Sequence, residues 1–330
     1  MITRGGPRFD AADVGRRVVV RRVVGTRNGR PQFSDLLGEL VAVDQGQLTV
    51  RTANGQETTV RWDRVVAAKP VPPPPPTRSE VVAVERVAAT GWPAVETEWL
   101  GEWLLRAAGG WTGRANSVLP LGDPGMPLDT ALGRARDWYA ARGLPAKFQV
   151  PLPIGRHLER ELRSRGWTYS HTVLVQTAPL TAVTAGAPDP TGMPEVRITD
   201  MPDAQWLRMV AASKRSLPPV AIRVLTGPKT VGFAAVYDDS GDLLAMGRGV
   251  ADDDWLGISL VEVVPQARRK GLARHLVGTL ARWAERHGAS RAYVQVGADN
   301  EPAQALYQRL GFTTHHRYAS YLAPDAETRS

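Results

Sequence analysis

The chain has 330 residues, 43% hydrophobic and 22% charged, with a formal net charge of +8 and no cysteine. That length suggests two or three domains, and the missing cysteine excludes disulfides, thiolate nucleophiles and Cys-bearing zinc sites. No apolar run approaches the roughly 18–20 residues of a membrane span. Met1 to Asp10 is polar and Gly-rich, without the apolar core of a signal peptide, so a cytoplasmic chain with no membrane association is expected.

Residues 1–70 read as a small SH3-like β-barrel. Its β-rich runs are Val18 to Val20, Val23-Val24, Gly38 to Val43, Gln47 to Thr52 and Glu57 to Arg61, broken by Asn28-Gly29, Asp44-Gln45-Gly46 and the hairpin pair Asn54-Gly55. Five short strands in so short a stretch fit such a barrel. This segment holds 12 Lys and Arg against 7 Asp and Glu, most of the chain's basic excess. A basic barrel with no catalytic constellation suits a nucleic-acid or protein partner, against the plainer reading of an Arg-rich solvated surface.

Residues 71–78 form a proline-rich linker, since Pro72 to Pro76 hold the chain extended as a semi-rigid spacer. A second linker, 181–194, is rich in Ala, Thr, Gly and Pro and separates two α/β segments, 79–180 and 195–330. Positions 145 apart in these segments match in type. Val118 and Pro120 meet Val263 and Pro265, Trp138 meets Trp283, and Gly143 meets Gly288. Phe148 meets Tyr293, Gly166-Trp167-Thr168 meets Gly311-Phe312-Thr313, and His171 meets His316. Two copies of one fold are expected, each a mixed β-sheet flanked by helices: an α/β (α+β) class.

The copies differ after the shared proline. Gln266 to Ala273 is basic and leads into an amphipathic helix with Leu272, Leu276, Leu280 and Trp283 on one stripe. Leu121 to Leu128 has an acid and two prolines and no basic residue. A strand ending at Pro265, three basic residues, a glycine and a helix start make an anion site, because free N–H groups and the helix dipole both favour negative charge there. Only the last segment is expected to hold a phosphate.

Arg268-Arg269-Lys270-Gly271-Leu272-Ala273 resembles motif A of the GNAT N-acetyltransferases. The strand Ala292 to Val296, then Asn300, Ala303, Leu306-Tyr307 and Leu310-Gly311-Phe312, resembles the family's next motif. With the barrel in front, the chain is similar to actinobacterial tandem-GNAT proteins carrying an N-terminal SH3-like barrel. The resemblance implies acetyl-CoA as co-substrate and no metal. Its pyrophosphate would sit on Arg269, Lys270, Gly271, Leu272, Ala273 and Arg274, with Arg268 also among the cofactor-binding residues. Its pantetheine would pair with Val261, Glu262 and Val263, with an N–H near Val263 polarising the thioester carbonyl. Asn300 would position it and Tyr307 would protonate the departing thiolate, although Leu306 and Leu310 on the same helix also allow a plain core tyrosine.

An amine then attacks the thioester directly, so no protein nucleophile is needed. Where some relatives place a glutamate base this chain has Gln295, leaving Glu262 on the strand or Asp252, Asp253 and Asp254 through water. The three aspartates also suit a polar turn. His275 is expected at the surface, and one of His315 and His316 toward the substrate cleft. The expectation is an N-acetyltransferase acting on a primary amine of a small molecule or peptide, with one acetyl-CoA site in residues 195–330 and the 79–180 segment shaping the acceptor side. The alternative is a non-catalytic acetyl-CoA sensor, or a nucleic-acid- or protein-binding module acting through the barrel.

Overall fold

Asn28 and Gly29, both at positive φ, turn the chain between strands β1 (Arg17–Arg27) and β2 (Arg30–Val43), as a tight hairpin requires. The computed structural model describes residues 9–72, 74–214 and 216–324, so Met1 to Arg8 and Pro73 of the linker lie outside the described residues. It divides into two units, residues 1–75 and 76–330. In the first, β3 (Gln47–Arg51), β4 (Glu57–Arg61) and β5 (Val65–Pro70) complete an antiparallel sheet in the order β4-β3-β2-β1-β5. Val18, Val20, Leu40, Leu48 and Val50 are fully buried on its inner side.

Two details differ from the sequence reading. Val18 to Val20 and Val23-Val24 belong to one strand, whose ladder runs on through the intervening arginines, Arg21 exposed and Arg22 half-buried on the opposite face. The fifth strand is instead β5, which runs into Pro70; an edge strand tolerates proline because its outer N–H has no ladder partner.

The second unit opens with α1 (Arg78–Gly91), started by a capping box between Thr77 and Glu80. Strands β6 (Glu96–Leu100), β7 (Trp103–Ala107) and β8 (Leu119–Pro120) follow, then α2 (Leu128–Ala140), β9 (Lys147–Leu152), α3 (Arg156–Ser164) and β10 (Thr168–Pro179). The stretch assigned as a second linker begins as helix α4 (Leu180–Gly186), which buries Leu180 and Val183. The last segment contains β11 (Arg197–Thr199), α5 (Ala204–Lys214), α6 (Pro219–Thr226), β12 (Val231–Tyr237), β13 (Leu243–Asp252) and β14 (Trp255–Val263). It ends with α7 (Leu272–Glu285), β15 (Arg291–Gly297), α8 (Glu301–Arg309) and β16 (Thr313–Leu322). Helices α3 and α8 are offset by 145 residues at both ends, and β10 and β16 by the same step at their starts, so the repeat is one of structure.

The two repeats share one eight-stranded sheet, in the order β11-β12-β13-β14-β15-β10-β16-β9. Strand β10 of the middle segment pairs with β15 of the last, and β16 of the last pairs with β9 of the middle, while β10 and β16 pair with each other. Each segment therefore completes the other's sheet. Ala234, Val236 and Ala245 pack against α4 and α7 on one face; Phe233, Ala235 and Met246 pack against Trp206 of α5 and Val224 of α6 on the other. No helix among the described residues is long and apolar enough to cross a membrane.

Arg248, 1% exposed, ties the layers together. It donates to Leu225 O (2.8 Å) and Gly91 O (2.9 Å), the last-turn carbonyls of α6 and α1, and lies over the Trp92 ring. Arg248→Met strands both carbonyls in an apolar layer, at about 1–3 kcal/mol each. The expected result is a melting temperature lower by roughly 10 °C; a thermal scan showing no change would refute this role.

Candidate active site

Strand β14 runs parallel to β15 only over Trp255–Ile258 against Arg291–Val294. From Ser259 onward it keeps its pairing with β13 but leaves β15, with a register shift between Met246 and Arg248 and Leu260 at φ +55°. Such a bulge bends a strand and re-aims its backbone groups. Strand β15 continues beside β10 to Gly297, so the two strands part and open a cleft of about 810 Å³.

Val261, Glu262, Val263, Arg268, Ala273, Asn300 and Tyr307 all line this cleft. Arg269, Lys270 and Gly271 are exposed on the loop beyond β14, with Arg269 and Gly271 both left-handed (φ +62° and +83°). Helix α7 then starts at Leu272 with no side-chain cap, so its first N–H groups remain uncommitted. The Leu272 side chain itself turns into the core, which leaves only its backbone to face a ligand. Arg268 Nε donates to Val263 O (3.1 Å), which draws the basic loop over the end of β14. Asn300 caps α8 by accepting from the Ala303 N–H (3.2 Å) while lining the cleft.

Tyr307 belongs to the core and to the cleft at once: it is 7% exposed and its ring lies edge-on to Phe312 at 5.5 Å. Burial pushes its phenol above the ordinary range, so it stays protonated and able to donate. Glu262 is the one carboxylate among the described lining residues, with Lys214 close enough to feel its charge.

Other positions fall elsewhere. Asp252, Asp253 and Asp254 form the turn between β13 and β14, at the paired end of β14, and Asp254 bridges to Arg291. His275, expected at the surface, is 4% exposed and its Nε2 is 2.9 Å from Pro194 O, because α7 packs under the segment leading to β11. His316 is buried against Glu85 (2.8 Å) and His315 contacts it; neither lines the cleft.

In the repeat's matching loop two amides ahead of α2 are already used. The Glu102 carboxylate accepts from the Asp123 N–H (2.8 Å), and Asp123 accepts from the Gly125 N–H (2.6 Å). Internal carboxylates thus bring negative charge to the place an anion would occupy, and Pro127 at the start of α2 has no N–H to offer, although α2, like α7, begins without a side-chain cap.

The sequence reading missed the wall contributed by the middle segment: Trp92, Thr112, Arg114, Gln149 and His171 also line the cleft, with Tyr318 of β16 beside them. Burial, with Lys147 nearby, holds the His171 imidazole below its usual range. The Gly-Gly-Trp-Thr-Gly-Arg run at 109–114 was the available signal, a loop where the repeat predicts a strand.

The residues present fit acetyl-CoA. The α7 amides are uncapped, Arg274 Nε and Gln295 Oε1 are buried without a partner, and β14 offers an edge to an extended chain. Parting strands above an uncapped basic helix start are the binding architecture of the GNAT superfamily, and the chain is a GNAT-type N-acetyltransferase. Its fold matches a GCN5-related N-acetyltransferase from Kribbella flavida (TM-score 0.57, 17% identity, 74% of this chain and 95% of that one). It also matches a tandem GNAT protein from the clavulanic acid biosynthesis pathway (TM-score 0.53, 14% identity, 76% and 89%). Residues 78–321 match the family model described as "Probable histone acetyltransferase Rv0428c C-terminal", and residues 12–69 the "Rv0428c N-terminal Sm-like domain". The chain belongs to this Rv0428c family. The Mycobacterium tuberculosis protein named "Probable histone acetyltransferase Rv0428c" is 32% identical over 312 residues, 92% of this chain and 93% of its own length. The "Uncharacterized N-acetyltransferase YobR" of Bacillus subtilis is 27% identical over 248 residues, 72% and 98%.

Proposed function

We propose that the chain transfers the acetyl group of acetyl-CoA directly to a primary amine, at one site between β14 and β15. The observation that carries this reading is the open edge of β14 leading into the uncapped α7 loop. The pyrophosphate is held by the N–H groups of residues 269–274 and the basic side chains around them. Bound acetyl-CoA supplies an activated thioester carbonyl. A backbone N–H near Val263 polarises that carbonyl, and Glu262 takes the proton of the attacking amine. Tyr307, kept neutral by burial, protonates the departing thiolate.

The middle segment binds no second acetyl-CoA in this reading, because Glu102 and Asp123 place carboxylates at its loop and residues 121–128 hold no basic side chain to offset them. Its role is to wall the acceptor side. The name of the mycobacterial relative raises a histone lysine as acceptor; the cations of that wall argue against so basic a substrate.

The test is a calorimetric titration with acetyl-CoA of the whole chain and of residues 76–330, the second compact unit. One site per chain with equal affinity in both is the expected result. No binding, or two sites, would refute the assignment; an affinity lost only in the fragment would give the barrel a part in the site.

A further inference from the structure

The acceptor wall has a sign. Residues Ala108 to Ser117 occupy the stretch where the repeat would place a second β14, but they form a loop instead. This loop is closely determined. The Asn116 side chain accepts from the N–H groups of Ala108 and Gly110 and donates to the carbonyls of Trp111 and Thr112. Trp111 stacks on Trp92 at 5.6 Å, and buried Arg106 fastens the loop's end through Ser117 and Gln149.

What so rigid a loop presents to the cleft is Arg114. Its guanidinium lies over the Trp92 ring at 5.5 Å, and its Nε is buried without a hydrogen-bond partner. Lys214 lines the same cleft, and Lys147 stands behind Gly113, its Nζ 3.7 Å from where a Cβ on that glycine would be. Among the described residues none of these three cations has a carboxylate within 4.0 Å. The lining's one carboxylate, Glu262, is assigned to the amine's proton. A fixed cation with no carboxylate beside it in a half-enclosed cleft is unfavourable until an anion meets it.

We propose that the acceptor is a primary amine bearing its own anionic group, a carboxylate or a phosphate, which Arg114 binds with Lys214 alongside and Lys147 adding positive charge from behind Gly113. This rests on the acetyl-transfer reading of the same cleft and names its substrate class. A planar guanidinium matches either oxyanion in a two-point contact, and Arg114 sets the acceptor's orientation as well as its charge. A polybasic peptide meets like charges at the same place.

The experiment uses the full chain and matched amines: O-phosphoethanolamine against ethanolamine, β-alanine against its amide, and a lysine-rich peptide. Initial rates of CoA release are measured at saturating acetyl-CoA, and each amine is also titrated calorimetrically into the CoA-saturated protein. We expect the anionic member of at least one pair to be favoured ten-fold or more, in KM and in affinity rather than in kcat. The pair that responds identifies phosphate or carboxylate. Arg114→Gln removes that preference and Arg114→Lys restores part of it. Equal binding and turnover within both pairs, a preference for the lysine-rich peptide, or a preference that survives Arg114→Gln overturns the proposal. Acetyl-CoA titrated into the same samples reports on the donor half alone: its failure to bind would sink the transfer reading, whereas normal binding with no anion preference sinks only this one.

Discussion

Gly271→Asp abolishes acetyl-CoA binding in a protein that still folds. A Cβ at this position meets only Met193 Cε, at 3.8 Å, so space is not the issue. The φ of +83° disfavours a side chain modestly, and Asp is among the residues that best tolerate it. Charge decides the outcome. Residue 271 precedes the free N–H groups of α7, so a carboxylate there lies beside the pyrophosphate and can turn back onto nearby amides, much as Asp123 accepts from the Gly125 N–H in the matching loop. One like-charge pair at about 5 Å costs about 3 kcal/mol at an effective dielectric constant of 20, already more than 10²-fold in affinity. Gly271→Asn has nearly the same shape without the charge and is expected to retain measurable binding. Calorimetry on the two variants separates the causes; undiminished affinity in the Asp variant would remove the loop from the site.

Tyr307→Phe lowers kcat about 10²-fold while acetyl-CoA affinity changes by no more than about two-fold. The ring keeps its contacts with Phe312 and the core, so the loss isolates the hydroxyl. Burial raises the phenol's pKa above its ordinary value of 10.0, so the acid form persists from neutral pH past that value. As pH rises, the rate should therefore climb with deprotonation of the acceptor amine and show no descending limb below about pH 10. A fall between pH 8 and 9 that disappears in the Phe variant would contradict the burial argument, and an unaltered kcat would remove the acid role.

How much of this could be read from the chain depended on whether a residue's partners lie near it in sequence. The turn from β14 into α7 was legible because Pro265, Gly271 and the stripe Leu272, Leu276 and Leu280 act within a few turns of one another. The repeat was legible because glycines after helices and prolines after strands mark backbone geometry whatever the intervening side chains. The exchange of β10 and β16 was not, since a strand's pattern records that its faces are buried and not which strand lies beside it. For the same reason nothing in the sequence singles out Arg114. Its place in the cleft depends on Asn116 holding the loop and on Trp92 more than twenty residues earlier. His275 was misjudged because helical periodicity shows the main buried stripe and could not anticipate Pro194 covering its flank.

The reciprocal last strands also set the timing of assembly during translation. Strand β9 leaves the ribosome with an open edge, and the strand that covers it is β16, the last one described. At roughly 5–20 residues per second, synthesis of the intervening chain takes on the order of 10 s. The first repeat therefore waits through the making of the second, its β9 edge exposed to wrong partners. A nascent chain halted just before Thr313 has its anion loop complete but lacks the strand that joins β10 to β9, so the acceptor wall has no fixed place beside the donor. The residues that finish the older repeat are made only after nearly all of the second.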